Sequence, residues 1–411
     1  GRLPFLIDGP PEKLTGKTYE ELYRDAIDDI KREQSEKITL LESTPFTKFK
    51  TLNIPGEFLT NPRFSRDGGL LAVNKTDPHE HQSIVVYDGD KIKTIDRRPS
   101  DHNITWTPDG KNVCYTQADL RGGYNVYQDL YCYDLAKDKE KRLTEDMRIK
   151  DTDISPDGAR FAVVEVSPLS QNLALLNFKD TRKIEVLTAF DGGNISGPRW
   201  SPDGEKMAFS RRDNSGNAAL YIYNLADKGL SKILENKSDN ISPAWSPDGM
   251  SIIFSSDMTG VYNLFAYSLL DNKLYQVTHV LGGAFQPDIS GNKIIFSSYG
   301  SSGFRIAEME YNPDSWREDI GPAIKPYWPE NNDETSCKEE INPSVVKDLY
   351  KNYSPFPTVL PGFWLPTFQL FNEKPTYGIF TAGRDVLGYH TYYINAGYGE
   401  GANLEMLYYY D

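Results

Sequence analysis

Cysteine is scarce in this chain: three in 411 residues, too few for all of them to pair internally. Cys114 and Cys132 fall in neighbouring predicted strands whose expected register does not set them opposite each other, so buried thiols are expected there. Cys337 lies in a polar stretch, and cysteine usage decides no compartment. No run of 18 apolar residues occurs, so no transmembrane helix is expected. Positive charge is also in deficit, with 45 Lys and Arg against 59 Asp and Glu, a formal net charge of −14. That balance argues against a nucleic-acid partner, which would require a basic face. His-Glu-x-x-His is absent, and His79-Glu80-His81 has the wrong spacing, because a helix puts i and i+4 on one face. Gly300-Ser301-Ser302-Gly303 is one residue short of the Gly-x-Ser-x-Gly nucleophile elbow. The chain opens on Gly-Arg-Leu-Pro, with no initiator Met, basic n-region or apolar h-region. Either a removed signal peptide or missing upstream sequence is the expectation.

What is present is aromatic and repetitive. Aromatics make up 12% of the residues, with 26 tyrosines, a composition of strands rather than of disorder. Pro243–Phe254 reads Pro-Ala-Trp-Ser-Pro-Asp-Gly-Met-Ser-Ile-Ile-Phe: an apolar strand end, a tight turn and a second apolar strand. Pro presets φ at the first central turn position and Gly accepts the positive φ that closes the reversal. The turn glycine recurs at Gly68, Gly110, Gly158, Gly204, Gly249 and Gly291, in steps of 42, 48, 46, 45 and 42 residues. That WD-like period is one four-stranded propeller blade of about 40–45 residues. Third strands follow each turn, and blades one to five each have a fourth. The sixth lacks one, so Phe46–Leu52, ahead of the first blade, is expected to complete it and close the ring. The fold class is therefore all-β: a six-bladed β-propeller with a short N-terminal helix and a C-terminal β-hairpin or partial β-barrel segment.

Along the first strand of each copy the side chains alternate. One face carries Phe64, Trp106, Ile154, Trp200, Trp245 and Ile289, suited to packing between blades. The other is polar or small, and is assigned to a hydrated central channel. Its binding candidates are Asn61, Arg63, Asn103, Thr105, Asp151, Asp153, Arg199, Ser242, Gln286 and Asp288, with Gly197 and Ala244 beside them. Three of these are aspartates, but Arg63 and Arg199 are the partners at hand, and neither a metal nor a cofactor is expected. Asp67, Asp109, Asp157, Asp203 and Asp248 imitate a carboxylate series, yet their Pro-Asp-Gly or Arg-Asp-Gly context makes them turn formers that bond their own backbone two residues on. No catalytic residue is expected.

The repeated Pro-x-Trp-Ser-Pro-Asp-Gly and its following apolar strand resemble the TolB-type propeller repeat over about residues 45–310. Upstream, Thr18-Tyr19-Glu20-Glu21 forms a capping box ahead of a helix expected from about 19 to 35, an amphipathic element packed on the next domain. The stretch Leu14–Asp25 resembles the closing segment of gluzincin-type metallopeptidase domains, whose zinc chemistry would then lie before residue 1. Downstream, alternation begins near Tyr377. His390, Tyr392, Ile394, Ala396 and Tyr398 share one face, and Leu404, Met406, Tyr408 and Tyr410 share one in the next strand. Periodicity alone leaves a transmembrane β-barrel wall and a half-buried hairpin equally open. Tyr353–Pro366 followed by Gly383–His390 resembles the join between a TolB-type propeller and a surface-antigen-like outer-membrane barrel. About three strands fit before Asp411, so a truncated or processed product, or an incompletely known sequence, is expected.

The expected domains are an N-terminal arm (1–37), the propeller (38–311), a polar linker (312–352), and a Pro-rich anchor with the first barrel strands (353–411). The resemblance implies a non-enzymatic scaffold of the cell envelope at the periplasmic face of the outer membrane. It would bind a protein or peptide partner at its channel mouth and meet the outer membrane through its C-terminal strands. The alternative is a substrate-gating propeller of a peptidase whose catalytic domain lies outside this chain, as propellers precede hydrolase domains in prolyl-oligopeptidase-type enzymes.

Overall fold

The computed structural model describes residues 12, 14–89, 91–96, 104–121, 125–214, 216–318, 320, 354, 359–371, 374–385, 388–399 and 401–410. Two compact units divide the chain, one of residues 1–36 with 328–411 and one of residues 37–327. Asn103, Cys337, most of the 312–352 stretch and part of the Pro-rich anchor lie outside the described residues.

The helix spans Tyr19–Glu42, seven residues beyond the expected end. Its start is the capping box: Glu21 N–H donates to Thr18 Oγ1 at 3.2 Å, and Thr18 N–H donates to Glu21 Oε2 at 2.8 Å. Among its described residues only Leu41 is buried.

In the second unit, six four-stranded antiparallel sheets follow one another. Their first strands are Phe58–Phe64, Ile104–Trp106, Ile149–Ile154, Asn194–Trp200, Asn240–Trp245 and Gly283–Ser290. Each first strand touches the next, and the sixth touches the first. Such strands bury both faces, so each must be covered on two sides. The apolar cores accordingly lie between sheets. Trp200, Met207 and Phe209 of the fourth sheet pack on Val164 and Leu173 of the third, and Ile295 and Ile306 of the sixth pack on Leu59 and Val73 of the first. Lys50 and Thr51 pair with Glu308 and Ala307, and Leu52 N–H donates to Ile306 O at 2.8 Å. The fourth strand of the sixth sheet thus comes from before the first, although only Lys50–Thr51 is regular strand.

Five of the six first strands carry a β-bulge that plain alternation does not foresee. Register shifts fall at Thr60/Arg63, Lys150/Thr152, Ser196/Arg199, Ile241/Ala244 and Phe285/Asp288. The bulged residues Asn61, Asp151, Gly197, Ser242 and Gln286 all hold φ between 49° and 62°. An extra residue in left-handed conformation re-aims its side chain and adds twist. At the opposite strand end the turn glycines hold φ of 57–74°. A Cβ at Gly158 would sit 3.3 Å from Pro108 Cδ of the preceding sheet's turn, and one at Gly204 would sit 3.5 Å from Pro156 Cδ. The turns therefore stack in a ring.

The strands Asn112–Arg121 and Asn125–Asp134 pair with Cys114 directly opposite Cys132, Cα atoms 4.0 Å apart, and the two sulfurs are bonded. This corrects the expectation of unopposed thiols.

The other unit holds a four-stranded antiparallel meander of Leu365–Phe371, Lys374–Arg384, His390–Tyr398 and Ala402–Tyr410, one strand more than expected. Cross-strand partners Tyr392–Tyr408, Ile394–Met406 and Ala396–Leu404 share a face, and every residue of the last strand is exposed.

Candidate functional site

The turn ends of all six first strands line one cavity in the propeller unit, and the bulge ends of five of them line another. At the turn end, about 350 Å³ is lined by Arg63, Thr105, Asp153, Arg199 and Asp288 of the expected binding residues. At the bulge end, about 300 Å³ is lined by Asn61, Asp151, Ser242 and Gln286. All nine described candidates therefore face one cavity or the other, but the bulges split them into two groups. Ala244, expected beside Ser242, is buried and lines neither. The tryptophans assigned to packing between blades do so, yet Trp106, Trp200 and Trp245 also line the turn-end cavity.

The turn-end cavity is walled by committed charges. Asp288 Oδ2 accepts Phe64 N–H across the junction of the sixth and first sheets at 2.8 Å, and its Oδ1 pairs with the Arg199 guanidinium. Asp153 Oδ2 accepts Trp200 N–H at 2.8 Å and lies 4.0 Å from Arg199 Nε, while its Oδ1 accepts the Thr105 hydroxyl at 2.9 Å. Thr105 Oγ1 in turn accepts Ile154 N–H at 3.2 Å. One residue before the anchor, each of these side chains holds the next sheet's anchor amide. Carboxylates so used are hydrogen-bonded structural groups, not free bases. The indoles add a second link: Trp106 Nε1–H donates to Arg63 O at 3.0 Å and Trp245 Nε1–H to Arg199 O at 2.9 Å.

The two central arginines feel this wall differently. Burial and the neighbouring Arg199 charge push Arg63 down to about 10, against the pull of Asp288, Asp153 and Asp151. Burial also opposes the charge on Arg199, but Asp288 and Asp153 outweigh it and hold its pKa above the ordinary value. Arg63 Nη1 donates to Pro62 O at 2.9 Å.

The bulge-end cavity is more open in its chemistry. Asp151 Oδ2 accepts Gly197 N–H at 3.1 Å, and Gln286 Oε1 accepts Asn61 N–H at 2.9 Å and the Ser297 hydroxyl at 2.9 Å. Lys150, which sequence reasoning passed over beside Asp151, donates to Asn194 Oδ1 at 2.6 Å, and burial lowers its pKa against the opposing pull of Asp151. Among the described residues no group of three or more His, Cys, Asp or Glu side chains could hold a metal.

The turn aspartates stand apart from both cavities as chemistry. Asp67 Oδ1 accepts the Ser65 hydroxyl at 2.6 Å and Gly69 N–H at 3.1 Å, and Asp109 and Asp157 repeat the pattern. Bonds from Ser65, Thr107 and Ser155 hold these three carboxyls below their ordinary value. The other residue that sequence reasoning missed is Arg66. It occupies the place that proline holds in the next four turns, and that departure from the repeat was its signal. Its Nη1 reaches Pro156 O of the third sheet's turn at 2.5 Å.

Residues 143–318 match the TolB beta propeller domain family. Over 66 residues the chain is 36% identical to the Tol-Pal system protein TolB of Alcanivorax borkumensis, covering 16% of this chain and 15% of that protein. Over 162 residues it is 33% identical to the Tol-Pal system protein TolB of Francisella tularensis, covering 36% of each. The chain thus spans well under two thirds of these two curated relatives. The crystal structure of TolB from Acinetobacter baumannii superposes with a TM-score of 0.45 and 19% identity, covering 62% of this chain and 66% of that one. The family match lies on the Ser-Pro-Asp-Gly copies that end at Gly158, Gly204 and Gly249, so residues 143–318 are similar to the TolB beta propeller domain.

Proposed function

We propose that this chain is a non-enzymatic binding module of the cell envelope: a closed six-bladed propeller that takes a protein or peptide partner at its turn-end mouth. The observation that carries this reading is the state of the carboxylates there. Asp153 and Asp288 hold backbone amides and Arg199, so the cavity offers shape, indole and proline surface and fixed charge, and neither carboxylate is a free acid or base. Likeness to proteins named for the Tol-Pal system supports an envelope setting, and the Cys114–Cys132 disulfide suits an oxidising compartment.

The C-terminal meander supports attachment to the outer membrane. Its shared face includes Leu404, 73% exposed, with Met406, Tyr408 and Tyr410 also exposed, aromatic and aliphatic side chains of the kind a barrel wall turns toward lipid. The reading places the propeller at the periplasmic face, with these strands as the membrane contact.

The test is isolation of the chain from cross-linked envelopes, as wild type and as Ser290→Tyr, which plugs the turn-end cavity from a half-buried rim position. A protein partner retained by the first and lost from the second is expected. Equal retention would overturn the mouth assignment, peptidase activity of the purified chain would overturn its non-enzymatic character, and recovery in cytosol without detergent would remove the membrane contact.

A further inference from the structure

The first turn of the propeller reads Ser65-Arg66-Asp67-Gly68, where the next four turns carry proline before the Asp-Gly pair. A proline at that place presets φ and ends in a short ring. The arginine folds the same turn, since Asp67 still accepts the Ser65 hydroxyl and Gly69 N–H, so the substitution is not needed for the reversal. What it adds is reach: the guanidinium crosses from the first sheet's turn to the carbonyl of Pro156 in the third.

The charge around it is unusual for this chain. The turn-end cavity is lined by three arginines and two aspartates, a net charge of +1, in a protein of formal net charge −14. Arg199 is committed to Asp288 and Asp153. Arg66 is exposed and, among the described residues, makes no ion pair within 4.0 Å. Its one hydrogen bond goes to a neutral carbonyl, leaving most of five donors for a partner. A carboxylate presents two oxygens in the geometry a guanidinium fork matches, and a charge-assisted pair outcompetes a single bond to a carbonyl. Beside it, Pro108, Pro156, Pro202 and Pro247 line the same cavity with apolar ring surface, which a free inorganic anion would leave uncovered.

We propose that Arg66 is a specificity-determining residue of the turn-end mouth, releasing Pro156 O to bind a carboxylate of an acidic peptide segment whose apolar neighbours lie on the proline ring. This rests on the mouth being the binding site for a peptide or protein partner.

A random heptapeptide phage library panned on the intact chain, with Arg66→Pro panned in parallel, tests it. Arg66→Pro restores the residue the other turns use, so folding is preserved, and the fluorescence of the cavity tryptophans reports occupancy. Peptides enriched in Asp or Glu on the wild type are expected to lose about tenfold in affinity on Arg66→Pro, and Arg66→Lys to keep part of it. Non-acidic peptides that perturb the tryptophans and bind both proteins equally would overturn the proposal while leaving the mouth as a peptide site. Acetate binding as tightly as the selected peptides would overturn the peptide half. Recovery of no peptide on either protein would overturn both.

Discussion

Removing the charge of Asp288 should expose how much the ring depends on its buried wall. Asp288→Asn keeps an oxygen for Phe64 N–H but leaves the Arg199 guanidinium without its nearest counter-charge. Arg199 and Asp288 side chains are 15% and 8% exposed, so water screens the loss poorly. Breaking one side of a buried pair costs about 3–5 kcal/mol. Asp153, 4.0 Å from Arg199 Nε, remains as a weaker partner, which brings the expectation just below that range, to about 2–3 kcal/mol. Asp288→Ala also orphans the Phe64 amide and should cost about 1 kcal/mol more. Guanidinium unfolding followed by tryptophan fluorescence measures both. Adding Arg199→Met to Asp288→Asn should recover part of the loss, because the stranded cation is then gone. An Asn variant within about 0.5 kcal/mol of wild type, or strictly additive effects in the double variant, would refute the reasoning.

Three further outcomes follow from the same geometry. Leu52→Pro deletes the N–H that meets Ile306 O and should cost about 1–3 kcal/mol, with faster amide exchange at Glu308 and Ala307 but not in the third sheet. Replacing Cys114 and Cys132 together by Ala releases a link across a sequence separation of 18; loop entropy puts the loss at about 3 kcal/mol, read from the same unfolding curves. The carboxyls of Asp67, Asp109 and Asp157 are held below the ordinary 3.8. In that window the unfolded chain binds more protons, so their contribution is present above 3.8 and is lost as pH falls through the lower folded values. The triple Asn variant should therefore unfold at a lower midpoint than wild type at neutral pH, and the gap should narrow as pH falls below 3.8.

Much of this architecture was legible because it repeats. Turn glycines every 42 to 48 residues, each after an apolar strand end, located the sheets, and the missing last strand pointed to the residues before the first. What alternation could not show was the bulge. A period of two assumes uniform pleat, and an inserted left-handed residue breaks it. The signal was nonetheless present, since Asn61, Asp151 and Gly197 occupy one place in the first, third and fourth copies and are the residue types that accept positive φ. The disulfide was missed for a related reason. Register in a long hairpin is set by its turn, and a two-residue turn at Gly122-Gly123 would set Cys114 opposite Tyr131, one residue off the register in which Arg121 faces Asn125 and Cys114 faces Cys132. The committed state of Asp153 and Asp288 depends on atoms from other sheets, 47 and 224 residues away in the chain, which no local pattern reports.

The central claim, that the turn-end mouth receives a partner, is tested most directly by site-specific photo-cross-linking in cells. One photoreactive residue at a time would replace Ser290 at that mouth, Ser242 at the bulge-end cavity, and Glu185 on an exposed outer strand. A partner cross-linked from position 290 and from neither of the others is the predicted result. Cross-links from 242 or 185 with none from 290 would contradict it.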